Sequence, residues 1–513
     1  MPFKALNNKE EEKTEHSYIY SHTHTTKHLN FTVKNKRSQS ALEYMMTYGW
    51  AILIIVIVAV ILYSMGIFNP SSSVTFTSSG FSPFTVSSSL CNNLGYKIAV
   101  LAGPIPNNAN YITINKVFVT SATGANATTA SYTLTNPVTL TSGQSATILI
   151  PNVACTAANV HYSFSAKIQY SYTASVLGLQ TINTTGTVAG TSITGKPSTL
   201  TSYEPITITN TQSSATPNPF QQMINFTSAD PGFSSIATGN FGQNVEFFYY
   251  NGTVIPSWLE SYTSTNAIWW LKIAAIPAGS SETVYVGFVP TSTNIFNTVN
   301  DGEAPQLSST YAEYDDGAKV FNYYVNFNGT SLPPNWGYSL GGGSCTQDNG
   351  ITCTANFASS GNNCAFVHYA YNLSNLGTTE AFDWGSGPFT QNIHAYYIQE
   401  GAGPYCTPGP GYFYELGMSG STTLYTGGTF SIADNVGYPS FSGFLNLTDY
   451  FVYKFNYSTI HITPYAVSSG YFGRNYFAVG DINDSSTPKF YWFDIRNLPP
   501  NDVMPSVSFG NVA

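Results

Sequence analysis

At 513 residues the chain exceeds what one hydrophobic core of about 100 to 200 residues holds, so several folded units are expected. Only 8% of residues are charged against 15% aromatic, with 37 Tyr and 33 Phe, which excludes a disordered chain and favours buried β-structure. Seven of the 17 Lys and Arg fall in residues 1–38, and the long remainder has no clustered basic face, which excludes a nucleic-acid partner. A surface built on hydroxyls and amides implies tolerance of acid, since few carboxylates remain to be protonated; a generic glycosylated surface is the plainer alternative.

Residues 1–38 read as a polar cytoplasmic leader. His16, His22, His24 and His28 within it are taken as part of that polar stretch rather than as metal ligands. No charged residue occurs in 44–68, and as a helix those 25 residues would rise about 37 Å, enough to cross about 30 Å of hydrocarbon. Tyr44, Tyr48 and Trp50 at one end, and Tyr63 and Phe68 at the other, suit the two interfaces; Lys34, Lys36 and Arg37 mark the cytoplasmic side. The expectation is one span of the cytoplasmic membrane, with the N-terminus inside and the C-terminal bulk extracellular. Ile67-Phe68-Asn69-Pro70 is not the small-residue site of an ordinary cleaved signal.

All six cysteines follow that run, as disulfides in an oxidising exterior would. The simplest pairing is Cys91 with Cys155, Cys345 with Cys353 and Cys364 with Cys406, although sequence leaves the connectivity open. Metal ligation by these residues lacks any CxxC pair.

The stretch Lys36-Arg37-Ser38-Gln39-Ser40-Ala41-Leu42-Glu43-Tyr44-Met45-Met46 resembles the class III signal peptide of archaeal type IV pilin-like proteins. The resemblance implies a prepilin-type signal peptidase as partner, cutting between Ser38 and Gln39, and residues 39–68 as a transmembrane pilin-like helix. It also implies that Glu43 sets register by pairing with a neighbouring subunit's N-terminal amine. Ser38 stands where that family usually has Gly or Ala. Anchoring is favoured over filament assembly, because pilin subunits are small and this exterior is large.

Residues 69–198 alternate strand-like runs, at 111–119, 145–150 and 162–170, with turns, which predicts a β-sandwich spacer. The Ser/Thr-rich stretch 190–202 reads as a linker. Further alternating runs follow at 204–211, 244–248, 255–261 and 268–273, with Asn251-Gly252 as a hairpin turn signal. With Ile276-Pro277-Ala278-Gly279 they resemble the domain of unknown function 2341 of surface proteins, placed at 199–310. Tyr314-Asp315-Asp316-Gly317-Ala318, Asn326-Phe327-Asn328-Gly329 and Trp336 resemble the opening of a concanavalin A-like (lectin/glucanase) sandwich. Phe490-Tyr491-Trp492-Phe493-Asp494 and Met504-Pro505-Ser506-Val507-Ser508-Phe509 resemble its last strand and tail, giving a region 311–513. The expected fold class is mainly β: one N-terminal transmembrane α-helix, then several β-sandwich domains, the last a concanavalin A-like jelly roll.

Trp258, Trp269, Trp270 and Trp336 offer a sugar-stacking platform, against the commoner fate of core aromatics. Adjacent strand residues face opposite ways, so at most one of Trp269 and Trp270 can point outward, and core burial is favoured for the pair. Glycosidase chemistry needs two facing carboxylates. Glu380 and Asp383 are three apart, which in a strand places them on opposite faces; Glu400 and Glu415 have no evident mate. Ser419 lacks the surrounding pattern of a nucleophile elbow. No cofactor is expected; Asp315 and Asp316 could contribute to a calcium site, against an ordinary turn. Asn-X-Ser/Thr sequons beyond the apolar run make Asn126, Asn183, Asn225, Asn251, Asn328, Asn372, Asn446, Asn456 and Asn483 glycosylation candidates. These features rank a membrane-anchored surface protein, an adhesin binding surface glycans, ahead of a glycoside hydrolase or lyase and of a structural envelope component. The enzymatic reading is left open and disfavoured.

Overall fold

The computed structural model describes residues 48–58, 76–341, 343–354 and 489–513, and, between 364 and 482, the backbone pairing of nine strands. The chain divides into two units, residues 1–73 and 74–513. In the first, residues 48–58 are helical. Among the described residues no helix is long and apolar enough to cross a membrane, and the expected span 44–68 reaches beyond the described helix. Ser38, Gln39 and Glu43 lie outside the described residues.

The second unit is mainly β. It opens with β1 (Thr77–Gly80), β2 (Phe84–Asn92), β3 (Gly95–Ala102), β4 (Ile112–Gly124), β5 (Ser131–Leu140), β6 (Ser145–Ile150), β7 (His161–Ala174) and β8 (Gly178–Thr191). One sheet runs β1-β8-β7-β4-β5 and a smaller one β2-β3-β6. The period-2 pattern predicted from sequence is plain in β7, where every second residue from Tyr162 to Ala174 is buried. Tyr96 and Ile98 from the small sheet and Val117, Phe164 and Ile168 from the large one share a single core, an arrangement consistent with a β-sandwich. The Cys91–Cys155 disulfide closes 64 residues of chain here.

Next come β9 (Ser202–Thr209), β10 (Phe220–Thr227), β11 (Val245–Tyr249), β12 (Ser257–Tyr262), β13 (Asn266–Ile273), β14 (Ser281–Phe288) and β15 (Asp301–Glu303). After a short helix, Gly317–Val320, follow β16 (Tyr323–Val325), β17 (Trp336–Gly341), β18 (Ser344–Gln347), β19 (Ile351–Thr354), β20 (Cys364–Tyr371), β21 (Thr379–Ser386) and β22 (Ile393–Glu400). The remainder are β23 (Phe413–Ser419), β24 (Thr423–Thr426), β25 (Ser440–Asn446), β26 (Tyr450–Phe455), β27 (Ser458–Pro464), β28 (Asn475–Ile482), β29 (Phe490–Asn497) and β30 (Ser506–Phe509).

Two four-stranded sheets, β10-β13-β12-β15 and β11-β14-β9-β30, enclose a core of Ile206, Phe226, Phe247, Trp269 and Val286. Asn251-Gly252 makes the predicted turn, with Gly252 at φ 79° and its N–H donating 2.8 Å to the Tyr249 carbonyl. The later strands form an eight-stranded sheet, in which β29 lies between β19 and β21, and a six-stranded sheet, β17-β20-β28-β22-β23-β24. Within the former, Cys345 stands directly opposite Cys353 and is disulfide-bonded to it. Cys406 lies outside the described residues.

Two features differ from expectation. β30, read from sequence as part of the 311–513 region, pairs instead with β9, Phe509 opposite Ile206, and its Phe509 ring lies 4.7 Å from that of Phe226. The stretch 190–202 is not a loose linker: β8 runs to Thr191, Ser192 and Leu200 are buried, and Ile193 N–H donates 3.0 Å to the Cys91 carbonyl. Small side chains here allow close packing as well as they allow freedom.

Candidate functional site

The charged residues of this charge-poor chain are not all on its surface. Glu204, Glu260, Asp301, Glu303, Asp316, Asp494 and Arg496 are buried, and most of them gather where the β10-β13-β12-β15 sheet meets β29. The centre is Asp315, in the turn before the short helix. Its Oδ1 accepts from Trp258 Nε1 and the Gly317 N–H, each at 3.0 Å. Its Oδ2 accepts from the Tyr324 hydroxyl at 2.9 Å and Asn326 Nδ2 at 2.7 Å. Burial raises the Asp315 carboxyl and these four donors pull it back down.

Around that anchor, Trp258, Trp270, Phe321 and Trp492 pack as one cluster, with the Trp258 and Trp492 rings perpendicular at 5.0 Å. Trp270 Nε1 donates 2.6 Å to Glu260 Oε2, and the Arg496 guanidinium lies 4.7 Å over the Trp270 ring. Gln221 of β10 links the same elements, donating to the Val320 carbonyl at 3.1 Å and accepting from the Asn497 N–H at 2.9 Å. Burial, then Asp315 and Asp301, push the Asp316 carboxyl well up. Burial, then Glu246, push Asp301 up to about 7 despite its bond from Asn297 Nδ2. Glu303 is raised by burial and accepts from Ser308 Oγ at 2.7 Å.

Chemically this cluster is a closed joint. The Asp315 carboxylate and the Trp258 and Trp270 indoles are hydrogen-bonded within it, whereas the two buried oxygens of Asp316 have no hydrogen-bond partner among the described residues. Of the two residues weighed for calcium, Asp315 has both oxygens engaged by neutral donors, and among the described residues no group of three or more His, Cys, Asp or Glu is placed to hold a metal ion.

The four tryptophans expected to stack on sugars are all buried. Trp269 enters the core of the two four-stranded sheets, beside Phe226, Phe241 and Phe247, while Trp270 enters the joint on the opposite face of the same strand. The alternation argument holds, and the core reading favoured for the pair extends to both rings, because β13 is covered on both faces. Trp336 packs on Phe327 and Phe493 and donates to the Tyr323 hydroxyl at 2.8 Å.

Of the carboxylates weighed for glycosidase chemistry, Glu380 and Asp383 lie on β21 of the eight-stranded sheet, Glu400 and Glu415 on strands of the six-stranded one. No two of the four are register partners; Asp383 stands opposite Asp494, which is buried in the joint. Ser419, at the end of β23, pairs with Thr423. The sequon residues Asn126, Asn183, Asn225, Asn251 and Asn328 are all exposed; Asn446 ends β25, and Asn372, Asn456 and Asn483 lie outside the described residues.

Sequence reasoning missed the joint. A usable signal was present in β29, where Trp492, Asp494 and Arg496 occupy alternate positions of an otherwise apolar strand: two charges on one face of such a strand are buried together or not at all.

A second contact joins the β1–β8 region to the strands that follow. Asn92 Nδ2 donates 2.6 Å to the Tyr250 carbonyl, the Tyr250 hydroxyl donates 2.7 Å to the Gly95 carbonyl, and Lys97 Nζ lies 4.3 Å over the Tyr250 ring. Leu94, Leu200, Phe248, Tyr250 and Tyr285 form a small apolar cluster around it.

No family model matches the chain. A curated protein, uncharacterized protein 562 of Sulfolobus islandicus rod-shaped virus 1, is similar to it, 39% identical over 128 residues. That match covers 24% of this chain and 21% of the viral protein, so the chain spans about a fifth of that relative.

Proposed function

We propose that this chain is an exported surface protein, held in the cytoplasmic membrane through residues 39–68 and presenting its β units outside in a structural and adhesive, non-catalytic role. The observation that carries the reading is the disulfide pair Cys91–Cys155 and Cys345–Cys353, both beyond the apolar run from the basic residues Lys34, Lys36 and Arg37. Exposure of all five described sequon asparagines in the second unit supports a glycan-bearing exterior. In this reading residues 69–198 are a β-sandwich spacer, 199–310 with the returning strand β30 the 2341-like unit, and the strands from 311 to 497 a concanavalin A-like sandwich. A prepilin-type signal peptidase releases the leader between Ser38 and Gln39, and Glu43 keeps its pilin-like place.

Glycan binding belongs to the same proposal through the concanavalin A-like resemblance, but the buried tryptophans contribute only to the core. The ligand surface must come from other residues of the eight- and six-stranded sheets.

The test uses the tagged full chain expressed in an archaeal host. Protection of residues 1–38 with protease access to the rest, a shift on reduction in denaturing gels, and a mature N-terminus at Gln39 are the expected results. Free thiols throughout, or an exterior that stays protected in intact cells, would sink the reading. Polysaccharide pull-down with product analysis then separates the roles: uncut retained glycan means adhesin, no retention leaves an envelope component, and cleaved glycan restores the hydrolase.

A further inference from the structure

The β7–β8 hairpin extends beyond its sheet. β4 pairs with β7 as far as Thr113 opposite Ser171, whereas β7 and β8 continue together without a register shift to Ala174 opposite Gly178. On the outer side, β1 covers β8 only from Gly80 opposite Gly186 to Thr77 opposite Ala189, and the Phe81 N–H adds one bond to the Thr185 carbonyl. Residues 178–184 are therefore an open edge among the described residues. Because the Thr185 carbonyl points to that side, the backbone groups of Thr181 and Asn183 point there too.

Natural edge strands are blunted by Lys, Pro, bulges or inward charges. This one has none: no Pro occurs in 178–184, and no charged residue between Lys167 and Lys196. The turn beside it is apolar and bare, with Val176 89%, Leu177 68% and Leu179 70% exposed. Tyr111, one residue before β4, is 47% exposed.

Among the described residues the tip is also free of its own chain. Thr77 enters opposite Ala189 and the chain leaves β8 at Thr191, so entry and exit share the end of the hairpin remote from Gly178. Eleven residues separate Gly178 from Ala189, about 36 Å at about 3.3 Å per residue.

We propose that the open edge of β8, at residues 178–184, pairs antiparallel with the same edge of a second copy of this chain. A self-pairing edge closes by a two-fold axis, and here it brings no like charges together, although the chain as a whole carries a net charge of −9. The uncharged hairpin is the surface on which that general repulsion is weakest. Backbone bonds hold the pair, and Leu179 lies within it. The inference is independent of the anchor and of the adhesive role, but it requires that Asn183, a glycosylation candidate within the segment, carry no glycan.

The experiment uses the full chain in lipid nanodiscs and in detergent. Single cysteines introduced by Leu179→Cys, Thr181→Cys and Asn183→Cys each place a thiol at the edge. With Gln180→Cys and Ile182→Cys added, an axis through any residue from 179 to 183 brings one thiol onto its own copy, which forms an intermolecular disulfide under mild oxidation; Thr187→Cys, on the part covered by β1, does not. Thr181→Lys sets like charges across the axis and lowers the dimer fraction severalfold, as does Thr181→Pro, with circular dichroism confirming that each variant is folded. A spin label at Thr181→Cys reports a short distance between copies.

Three results would overturn the proposal. One is a wild-type chain monomeric up to about 50 μM, a high concentration against the affinity a standard interface supports. Another is a dimer indifferent to Thr181→Lys with no edge cross-link. The third is a Thr181 label buried in lipid rather than near its copy, which would make the membrane the occupant.

Discussion

Asp315 shows how one residue of a charge-poor chain can be tied into its fold. Four donors from Trp258, Gly317, Tyr324 and Asn326 converge on its carboxylate, and removing it strands them in an apolar surround. Asp315→Ala is expected to cost about 3 kcal/mol or more in urea unfolding, and Asp315→Asn clearly less, since the amide keeps one acceptor. Burial raises the Glu204 carboxyl to about 7, opposed by the Gly232 N–H, and burial with Glu246 does the same for Asp301. In the unfolded chain such groups titrate near about 4, so the folded state binds their protons more tightly. Their contribution to stability is full below that value, declines as pH rises toward about 7 and is gone above it, each group giving a slope of at most about 1.4 kcal/mol per pH unit. Urea midpoints should therefore be higher at pH 4 to 5 than at pH 8; the reverse order would remove these two carboxyls from the account. From the sequence, acid tolerance rested on how few carboxylates there are. The structure supplies a different cause, the burial of several that remain, which no count of residues could reveal.

The strands were legible because their composition alternates. Runs read at 145–150 and 162–170 become β6 and most of β7, with apolar side chains buried at alternate positions. Burial of both faces of β13 was not legible, since Trp269-Trp270 reads equally as one ring in and one out; what decides it is β29, more than 200 residues later in the chain. Cysteine spacing allowed many pairings, and register explains the two described ones: Cys345 and Cys353 are opposed in a hairpin, while Cys91 and Cys155 lie at adjacent chain segments, the Cys155 N–H donating 2.8 Å to the Asn92 carbonyl. Replacing both Cys91 and Cys155 by Ser should lower stability by about 4 kcal/mol, from the entropy of a freed 64-residue loop, measurable as a lower denaturant midpoint with little change in secondary structure.

At the scale of the molecule, sequence could divide the chain by resemblance and composition but could not see what crosses the divisions. Tyr250 is one such crossing: it reads as an ordinary aromatic beside a turn, yet its hydroxyl and ring engage Gly95 and Lys97 about 155 residues away. Tyr250→Ala should leave both neighbouring cores folded while exposing the connection at 192–201 to proteases, seen as a new cut between two stable fragments; Tyr250→Phe should cut more slowly, losing only the hydroxyl bonds. β30 is the other crossing, and its consequence lies in time. The β1–β8 region can complete its sheets as soon as residue 191 has been synthesised, whereas β9 must wait for a partner some 300 residues downstream. Until Ser506–Phe509 arrives, the sheet of β9, β14 and β11 has a bare edge and a core missing Phe509, so a nascent or truncated chain is expected to display the features that chaperones and quality-control proteases bind, and only full-length product would escape them.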